Sequence, residues 1–250
     1  MKYFYLQVMS LWVWVVIAVL TVLDVLAIII LCPLYIFDKK RAIAHWLGSV
    51  WGRGILFINP LWDITVTGRE NIQKNKSYII VANHQSMGDI IVLYYLRTNF
   101  KWIAKSSLFK VPFLGWGMSL AGYIPLKRGQ HGSIRESFQE AINWIKRGVS
   151  VLFFPEGTRS LDAKLAPFKN GAFKLAAATK TPVLPVVITG TSDALEKGSW
   201  VFSHRVHAAI SILPPINVSV EDETNFAHLR ELAHAAIQAE LERLKNTIST

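Results

Sequence analysis

A long apolar run in the N-terminal part of the chain limits what this sequence can fold into. Between Tyr3 and Phe37 the only charged residue is Asp24. A helix needs about 20 apolar residues to cross a bilayer core, so this run is long enough to enter a membrane. A core hairpin of a soluble protein is the alternative, but the length of the uncharged run favours a membrane segment. Pro33 should break or kink the helix that precedes it.

A second apolar stretch begins at Ala42, directly after the polar cluster Asp38–Arg41. We therefore predict that residues 1–60 form a two-helix membrane anchor, which either spans the bilayer or lies partly within one leaflet. Tryptophan favours the headgroup level of a membrane, and five of the nine tryptophans fall near this predicted anchor. These five are Trp12, Trp14, Trp46, Trp51 and Trp62.

The basic residues Lys39, Lys40 and Arg41 predict the side of the membrane. Positive residues beside an apolar segment favour the cytoplasmic side, so we expect the chain after Phe37 to lie there. In a bacterial cell this means the inner membrane, with the remaining domain on its cytoplasmic face. A secretory signal peptide is the alternative, since Ala42–Ala44 resembles a cleavage site, but the apolar run is too long for one.

The composition excludes several classes of protein. The 250 residues are 52% hydrophobic and 18% charged, which is far from the composition of a disordered chain. The single cysteine, Cys32, excludes a disulfide framework and a cysteine-based zinc site. Lysine and arginine number 27 against 17 acidic residues, and this net charge of +10 points to a membrane surface or an anionic partner.

After Pro60 the pattern changes to short apolar runs that alternate with helical periodicity. This alternation predicts an α/β domain over residues 61–250, with a largely parallel or mixed sheet flanked by helices. The predicted strands are WDITVTG, SYIIVAN, KWIAK, YIPL, VSVLFF, PVLPVVITG and VHAAISILP. The predicted helices lie within residues 87–97, 112–121, 133–147, 170–179 and 224–245.

Two polar loops directly follow predicted strands. Asn83–Asp89 follows SYIIVA, and Phe154–Ser160 follows VSVLF. Ligands of open α/β sheets bind outside the carboxyl ends of the strands. We therefore expect the two loops to face one crevice.

His84 and Asp89 have the residue types of a general-base pair. Five positions on one helix turn about 500°, so the two side chains can meet only if the chain turns between them, and Gly88 eases such a turn. If they meet, Asp89 orients the imidazole and the other ring nitrogen is a base near neutral pH. The spacing is equally compatible with a loop histidine and an aspartate at a helix N-terminus.

The second loop offers groups that suit an anionic substrate. Arg159 carries a planar fork of donors that matches phosphate. Gly157 lets a ligand approach the backbone, and its N–H is a candidate donor to a developing oxyanion, with Thr158 beside it in support. Glu156 either orients Arg159 or is solvated.

The sequence between Ile90 and Arg135 contains no acidic residue. Such a region attracts anionic lipid headgroups, a phosphate or an acidic protein. Lys105 ends the strand KWIAK, so we expect it at the crevice as a second phosphate ligand, with a solvated basic face as the alternative. The basic residues of the region are Arg97, Lys101, Lys105, Lys110, Lys127, Arg128 and Arg135.

Together these segments resemble a known family. NHQSMGD and FPEGTRS resemble the two signature motifs of the glycerolipid acyltransferases. IPLKRG resembles their intermediate motif, with Arg128 at its basic position, although Lys127 stands where an acidic residue is common. LPVVITG, with Pro185, resembles their fourth motif. Within the family the 1-acylglycerol-3-phosphate (lysophosphatidic acid) acyltransferases match best, and the four motifs cover about residues 81–190.

The resemblance implies transfer of a fatty acyl chain from a thioester of coenzyme A or acyl carrier protein to the hydroxyl of lysophosphatidic acid. His84 would remove the hydroxyl proton, Asp89 would orient His84, and Arg159 with Arg128 would hold the substrate phosphate. The resemblance implies no covalent acyl-enzyme and no cofactor. The sequence agrees, because it has no Gly-x-Ser-x-Gly nucleophile motif and Cys32 lies in the apolar segment.

Other interpretations stay open. The same chemistry could act on glycerol 3-phosphate or another lysophospholipid. A basic, membrane-anchored binding module without catalysis is a further alternative, although we expect the partners to be lipids and an acyl carrier, not nucleic acid. No metal site is predicted, because His204 and His207 face opposite sides of a strand, and His228 and His234 lie on different sides of a helix.

Overall fold

Two helices form the N-terminal part of the computed structural model, which describes residues 2–59, 62–159, 164–195, 198–203 and 205–248. Helix α1 (Lys2–Leu31) gives way to a 3-10 turn over Cys32–Ile36, with Pro33 at its start, as the sequence predicts. Helix α2 (Ala42–Ile58) follows. The carboxylate of Asp38 caps it, because its oxygens accept hydrogen bonds from the N–H groups of Ala42 and Ile43 at 2.9 and 2.8 Å.

The described residues contain a sheet of seven strands. In chain order these are β1 (Trp62–Thr67), β2 (Ile79–Ala82), β3 (Phe100–Lys105), β4 (Ile124–Leu126), β5 (Ser150–Phe153), β6 (Val183–Thr189) and β7 (Val206–Ile212). Their spatial order is β1-β7-β6-β2-β5-β3-β4. All neighbouring strands are parallel except β6 and β7, which are antiparallel. The sheet is therefore mixed, and the predicted α/β class is confirmed.

Helices cover both faces of the sheet. The further helices are α3 (Gly88–Leu93), α4 (Leu114–Leu120), α5 (His131–Lys146), α6 (Gly171–Thr179) and α7 (Phe226–Ile248). One face packs against α1 to α4, and the other packs against α5 to α7. The central strands β2 and β6 are buried along their whole length. This explains their unbroken apolar sequence, because a strand covered on both faces has no polar side.

Helix α1 lies along the domain and contacts it near both ends. Near its N-terminus, the hydroxyl of Ser10 accepts a hydrogen bond from the N–H of Phe202 at 2.7 Å. Farther along, Val25 packs so closely on α4 that a Cβ at Gly117 would lie 2.8 Å from Val25 Cγ2. Helix α2 runs beside α1, and Trp51 Nε1 donates to Thr21 Oγ1 at 3.0 Å. Both helices therefore contribute to the hydrophobic core on one face of the sheet.

The other side of α1 is an exposed apolar surface. Among the described helices, one segment, Phe4–Ile36, is long and apolar enough to cross a membrane by length and composition, and little of its most apolar part is buried. Helix α2 has 17 residues, at the lower limit for a membrane span, and is not a second such segment. Of the two helices of the predicted anchor, only α1 is therefore long and apolar enough to span a membrane. The division of the chain into an anchor and a domain at residue 60 stays a prediction.

Lys101 is fully buried at the start of β3, far from Lys105 at the strand's other end. Its Nζ donates to the carbonyl oxygen of Arg41 at 3.3 Å and to Oδ1 of Asn99 at 3.4 Å. It also lies 4.8 Å from the ring centre of Trp144. Burial lowers the pKa of Lys101 to about 7, because the charged form is poorly solvated there.

This burial predicts a pH-dependent stability. Because the folded pKa of Lys101 lies below its ordinary 10.5, the folded state binds fewer protons than the unfolded state between those two values. At low pH the buried charge therefore lowers the free energy of unfolding. As pH rises through this range, that free energy increases by up to about 1.4 kcal/mol per pH unit. Thermal unfolding in detergent should show that the wild type gains stability relative to Lys101→Met from about pH 7 upward. Parallel pH profiles for the two proteins would contradict this.

Candidate active site

Asn83 begins the first polar loop and holds it to the sheet. Its Oδ1 accepts the N–H of Ile188 at 2.8 Å, and its Nδ2 donates to the carbonyl oxygen of Ile188 at 2.8 Å. The side chain thus continues the pairing with β6 after β2 has ended. Residues 83–86 are irregular, and α3 begins at Gly88.

The loop brings His84 and Asp89 into contact. Nδ1 of His84 lies 2.7 Å from Oδ2 of Asp89. The chain does turn between them, but Gly88 is not the residue that allows it. Gly88 is the first residue of α3 and is not among the residues with positive φ, so the irregular residues before it make the turn.

Asp89 is fully buried, and four donors surround its carboxylate. Oδ2 also accepts the N–H groups of Gln85 at 2.7 Å and Ser86 at 3.0 Å, and Oδ1 accepts the hydroxyl of Thr191. An ionised carboxylate only accepts hydrogen bonds, so Nδ1 of a neutral His84 carries the ring proton. The lone pair therefore lies on Nε2, on the side of the ring away from Asp89.

Sequence reasoning missed Thr191, and it gave no role to Asn83 and Phe154, although these two residues begin the predicted loops. Thr191 follows β6 at the same edge of the sheet, so a third polar strand end was the signal that could have found it. Phe154 stacks on His84, with ring centres 4.0 Å apart and planes 14° apart. The imidazole is thus held by Asp89 at one edge and by Phe154 on one face, and 18% of the side chain is exposed.

Glu156 supports the first loop and does not pair with Arg159. Its Oε1 accepts the N–H of His84 at 2.8 Å, and its Oε2 accepts the N–H of Ala166 at 3.0 Å. Glu156 is 5% exposed, so the expectation that it is solvated or orients Arg159 is wrong. Burial raises the pKa of Glu156, while the two N–H donors oppose that rise. The residue links the two loops.

Gly157 adopts a backbone that other residues rarely adopt, with φ of +77°. Its N–H donates to the carbonyl oxygen of Phe154 at 3.0 Å. That N–H is therefore not available to an oxyanion in this conformation, contrary to the expectation from the sequence. Thr158 is exposed beside it, Arg159 is partly exposed, and Ser160 lies outside the described residues.

Lys169 lies across Gly157 and was also missed from the sequence. Its N–H donates to the carbonyl oxygen of Pro155 at 2.8 Å, which fixes the two segments together. A Cβ at Gly157 would lie 2.5 Å from Nζ of Lys169. The site therefore gains a further positive charge over the second loop.

We expect Gly157→Ala to lower activity because it moves Lys169, beyond the backbone strain that it shares with its control. The positive φ costs an alanine about 1–2 kcal/mol, and the new Cβ displaces the Lys169 ammonium. Gly198→Ala is the matched control, because Gly198 has φ of +92° and nothing within 4 Å of its Cβ position. Steady-state acyl transfer should fall about tenfold only for Gly157→Ala, as expected for a displaced positioning group. Equal activity of the two variants would contradict the role of this contact.

Lys105 and Arg128 lie along the same edge of the sheet as His84. Lys105 ends β3, and its register partner Leu126 ends β4, two residues before Arg128. Strands are about 4.8 Å apart, so these ends continue outward from β2 and β5 as a row. Lys105, Arg128 and Arg159 form no salt bridge with any other described residue.

Three of the histidines that the sequence left without a role are described, and they lie on other elements: His207 on β7, and His228 and His234 on α7. His204 lies outside the described residues. His228 contacts Asp222 through Nδ1 at 2.9 Å, beside the start of α7. Over the described part of the chain, no group of three His, Cys, Asp or Glu side chains could hold a metal ion.

The fold and site define an α/β protein with a His-Asp pair, whose aspartate is buried and whose histidine is partly exposed, and a row of cations at one sheet edge. The family model described as Acyltransferase matches residues 63–189, which is half of the chain. This chain belongs to that acyltransferase family. The predicted resemblance to an acyltransferase family is thereby confirmed.

Individual relatives agree with the family match. A 1-acyl-sn-glycerol-3-phosphate acyltransferase from Borreliella burgdorferi is 32% identical over 198 residues, covering 79% of this chain and 76% of that protein. The chloroplastic 1-acyl-sn-glycerol-3-phosphate acyltransferase BAT2 of Brassica napus is 36% identical over 189 residues, covering 75% of this chain and 54% of that protein. The chain spans about half the length of this relative and of the matching relatives from Chlamydomonas reinhardtii and Arabidopsis thaliana.

A solved structure shares the complete fold. The crystal structure of the 1-acyl-sn-glycerophosphate (LPA) acyltransferase PlsC from Thermotoga maritima matches with a TM-score of 0.83 and 29% sequence identity. The match covers 98% of each chain. It therefore includes the N-terminal helices as well as the sheet.

Proposed function

We propose that this protein is a membrane-bound acyltransferase that converts 1-acylglycerol 3-phosphate into phosphatidic acid. It takes a fatty acyl chain from a thioester, of acyl carrier protein or coenzyme A, and transfers it to the sn-2 hydroxyl. The observation that carries the proposal is the Nδ1–Oδ2 contact of 2.7 Å, which orients His84 as a base. The names of the relatives support the choice of acceptor.

The proposed reaction is a direct transfer. Nε2 of His84 takes the proton of the sn-2 hydroxyl while that oxygen attacks the thioester carbonyl carbon. Asp89 stabilises the imidazolium that forms. The tetrahedral intermediate collapses, the carbon–sulfur bond breaks, and the thiolate leaves with the proton from His84. Atoms and charge balance without an acyl-enzyme.

The row of cations supports an acceptor that carries a phosphate. Arg159, Arg128 and Lys105 would bind the phosphate of lysophosphatidic acid, with Arg159 nearest in the strand order to His84. The negative charge of that headgroup complements this edge. A lysolipid without a phosphomonoester would leave these cations partly unpaired.

The contacts of α1 support partial burial in one leaflet over a perpendicular span. Ser10 and Val25 both contact the domain, and they are about 22 Å apart along a helix. A helix held along the domain over this length cannot cross the bilayer without carrying the domain with it. The acceptor's acyl tail would stay in that leaflet, on the cytoplasmic side that Lys39–Arg41 favour.

An acceptor panel tests the proposal. The wild-type protein in vesicles is given a labelled long-chain acyl thioester with lysophosphatidic acid, glycerol 3-phosphate or lysophosphatidylcholine, using both carriers in turn. We expect fastest transfer to lysophosphatidic acid. Faster transfer to another acceptor would contradict the assigned substrate but not the chemistry. Salt-dependent lipid binding without transfer would instead favour a binding module.

A further inference from the structure

The segment that follows Lys105 exposes large apolar side chains. A 3-10 turn over Ser106–Lys110 leads into α4, and we refer to residues 106–116 as the 106–116 segment. Leu108 is 38% exposed, Val111 is 43% exposed and Trp116 is 51% exposed. Such side chains are costly to leave in water when they lie close together.

The packing of α4 explains why Trp116 points outward. Gly115 and Gly117 are both buried, and they leave no room for side chains. A Cβ at Gly115 would lie 2.2 Å from the carbonyl oxygen of Phe109, and Gly117 meets Val25 of α1. Trp116 lies between these two glycines and is half exposed. The ring of Phe113 packs against it at a tilt of 51°, with the ring centres 5.0 Å apart.

The exposed surface continues onto α1. Gly117 contacts Val25 and Ile28, and the neighbouring residues Leu26 and Ile29 are exposed on the outer side of α1. The apolar side chains of the 106–116 segment therefore extend the surface that we assign to the membrane. This surface reaches from α1 toward the carboxyl edge of the sheet, because the segment starts where β3 ends.

The charge of the segment complements an anionic bilayer. Lys110 is exposed within it, Lys105 precedes it, and no acidic residue occurs between Ile90 and Arg135. Tryptophan is enriched at membrane interfaces, and lysine can extend from an apolar surface to lipid phosphates. The combination of exposed apolar side chains and basic residues fits a lipid surface.

We propose that the 106–116 segment is a second membrane-contact element beside α1. Leu108, Val111 and Trp116 enter the headgroup region, and Lys110 binds anionic headgroups. This inference rests on the proposed membrane association of the protein. It places the bilayer surface next to Lys105, so a lipid acceptor reaches the phosphate-binding edge while its tail stays in the leaflet.

Spin-label accessibility tests the proposal. In a Cys32→Ser background, single cysteines replace Leu108 or Trp116, and each is labelled with a nitroxide in phosphatidylcholine–phosphatidylglycerol vesicles. Ile30→Cys, at a 74% exposed position on α1, reports the anchor, and Val220→Cys, at an 84% exposed position before α7, reports the aqueous side. We expect the labels at 108 and 116 to collide with oxygen as the label at 30 does, and to be protected from an aqueous nickel chelate.

The outcomes separate this inference from the proposed function. The labels at 108 and 116 could prove as accessible to nickel as the label at 220 while the label at 30 is still immersed. This result would overturn only the membrane contact of the 106–116 segment. An aqueous label at 30 would also overturn the proposed membrane association. Protection at 108 and 116 without lipid would indicate a second protein copy and would likewise overturn the lipid assignment.

A charge variant gives an independent measurement. Lys110→Gln should weaken binding to anionic vesicles about fivefold, the effect of one basic residue near such a surface. Binding to vesicles of phosphatidylcholine alone should be unchanged. Lys146→Gln is the matched control, because Lys146 is an exposed lysine at the end of α5 on the opposite face. Equal effects of the two substitutions would contradict a specific contact by Lys110.

Discussion

His84→Ala should lower the rate of acyl transfer by about 10²–10⁴-fold, the usual contribution of a general base. Without Nε2, no positioned group takes the proton of the attacking hydroxyl. The protein should still fold, because Asp89 keeps its hydrogen bonds from Gln85, Ser86 and Thr191. Binding to vesicles should be unaffected, since α1 lies elsewhere.

The chain offers a matched control for this substitution. His228 also contacts an aspartate, Asp222, at 2.9 Å, and its side chain is 54% exposed. His228→Ala should retain the wild-type rate, although it removes the same kind of pair. Steady-state transfer by the three proteins, with circular dichroism to verify folding, makes the comparison. Wild-type activity in His84→Ala would contradict the general-base role.

Asp89→Asn should separate catalysis from stability. The amide oxygen can take the place of Oδ2 and accept from His84, Gln85 and Ser86, while the amide NH₂ donates to the hydroxyl of Thr191. The fold is therefore largely kept. The negative charge that stabilises the imidazolium is lost, so we expect transfer to fall by about 10²–10⁴-fold.

Asp89→Ala is the informative companion variant. It removes the buried acceptor of three donors, which are the N–H groups of Gln85 and Ser86 and the hydroxyl of Thr191. Each such group costs about 1–3 kcal/mol, so we expect a strongly lowered unfolding temperature. Thermal unfolding and transfer rates of both variants test this. An asparagine variant as active as the wild type would contradict the orienting role of Asp89.

The placement of the loops could be predicted from the sequence because it depends on local patterns. Alternating apolar runs and helical periodicity predicted the strands, and polar residues at two strand ends predicted the edge that carries His84 and Arg159. The antiparallel pairing of β6 and β7 was not predicted, because the apolar sequence of a strand does not reveal the direction of its neighbour. The one signal for it is the connection, which contains no crossover α-helix in the residues described.

The partners within the site depend on long-range contacts, and among them only Thr191 has a local signal, its position at the end of β6. Glu156 accepts the N–H of His84 from 72 positions away, and Thr191 reaches Asp89 from 102 positions away. The sequence does not reveal the turn in which the Gly157 N–H donates to the carbonyl oxygen of Phe154. Lys169 contacts Gly157 only because the chain returns over the loop. The roles of Lys105, Arg128 and Arg159 stay predictions.

One measurement tests direct transfer to lysophosphatidic acid most clearly. The wild-type protein in vesicles is incubated with a labelled acyl thioester, with and without lysophosphatidic acid, and the label is followed in lipid and on protein. We predict labelled phosphatidic acid, acylated at the sn-2 position, only when the acceptor is present, and no label on the protein in either case. Acyl label on the protein, or a folded protein that yields no phosphatidic acid with either carrier, would contradict the account.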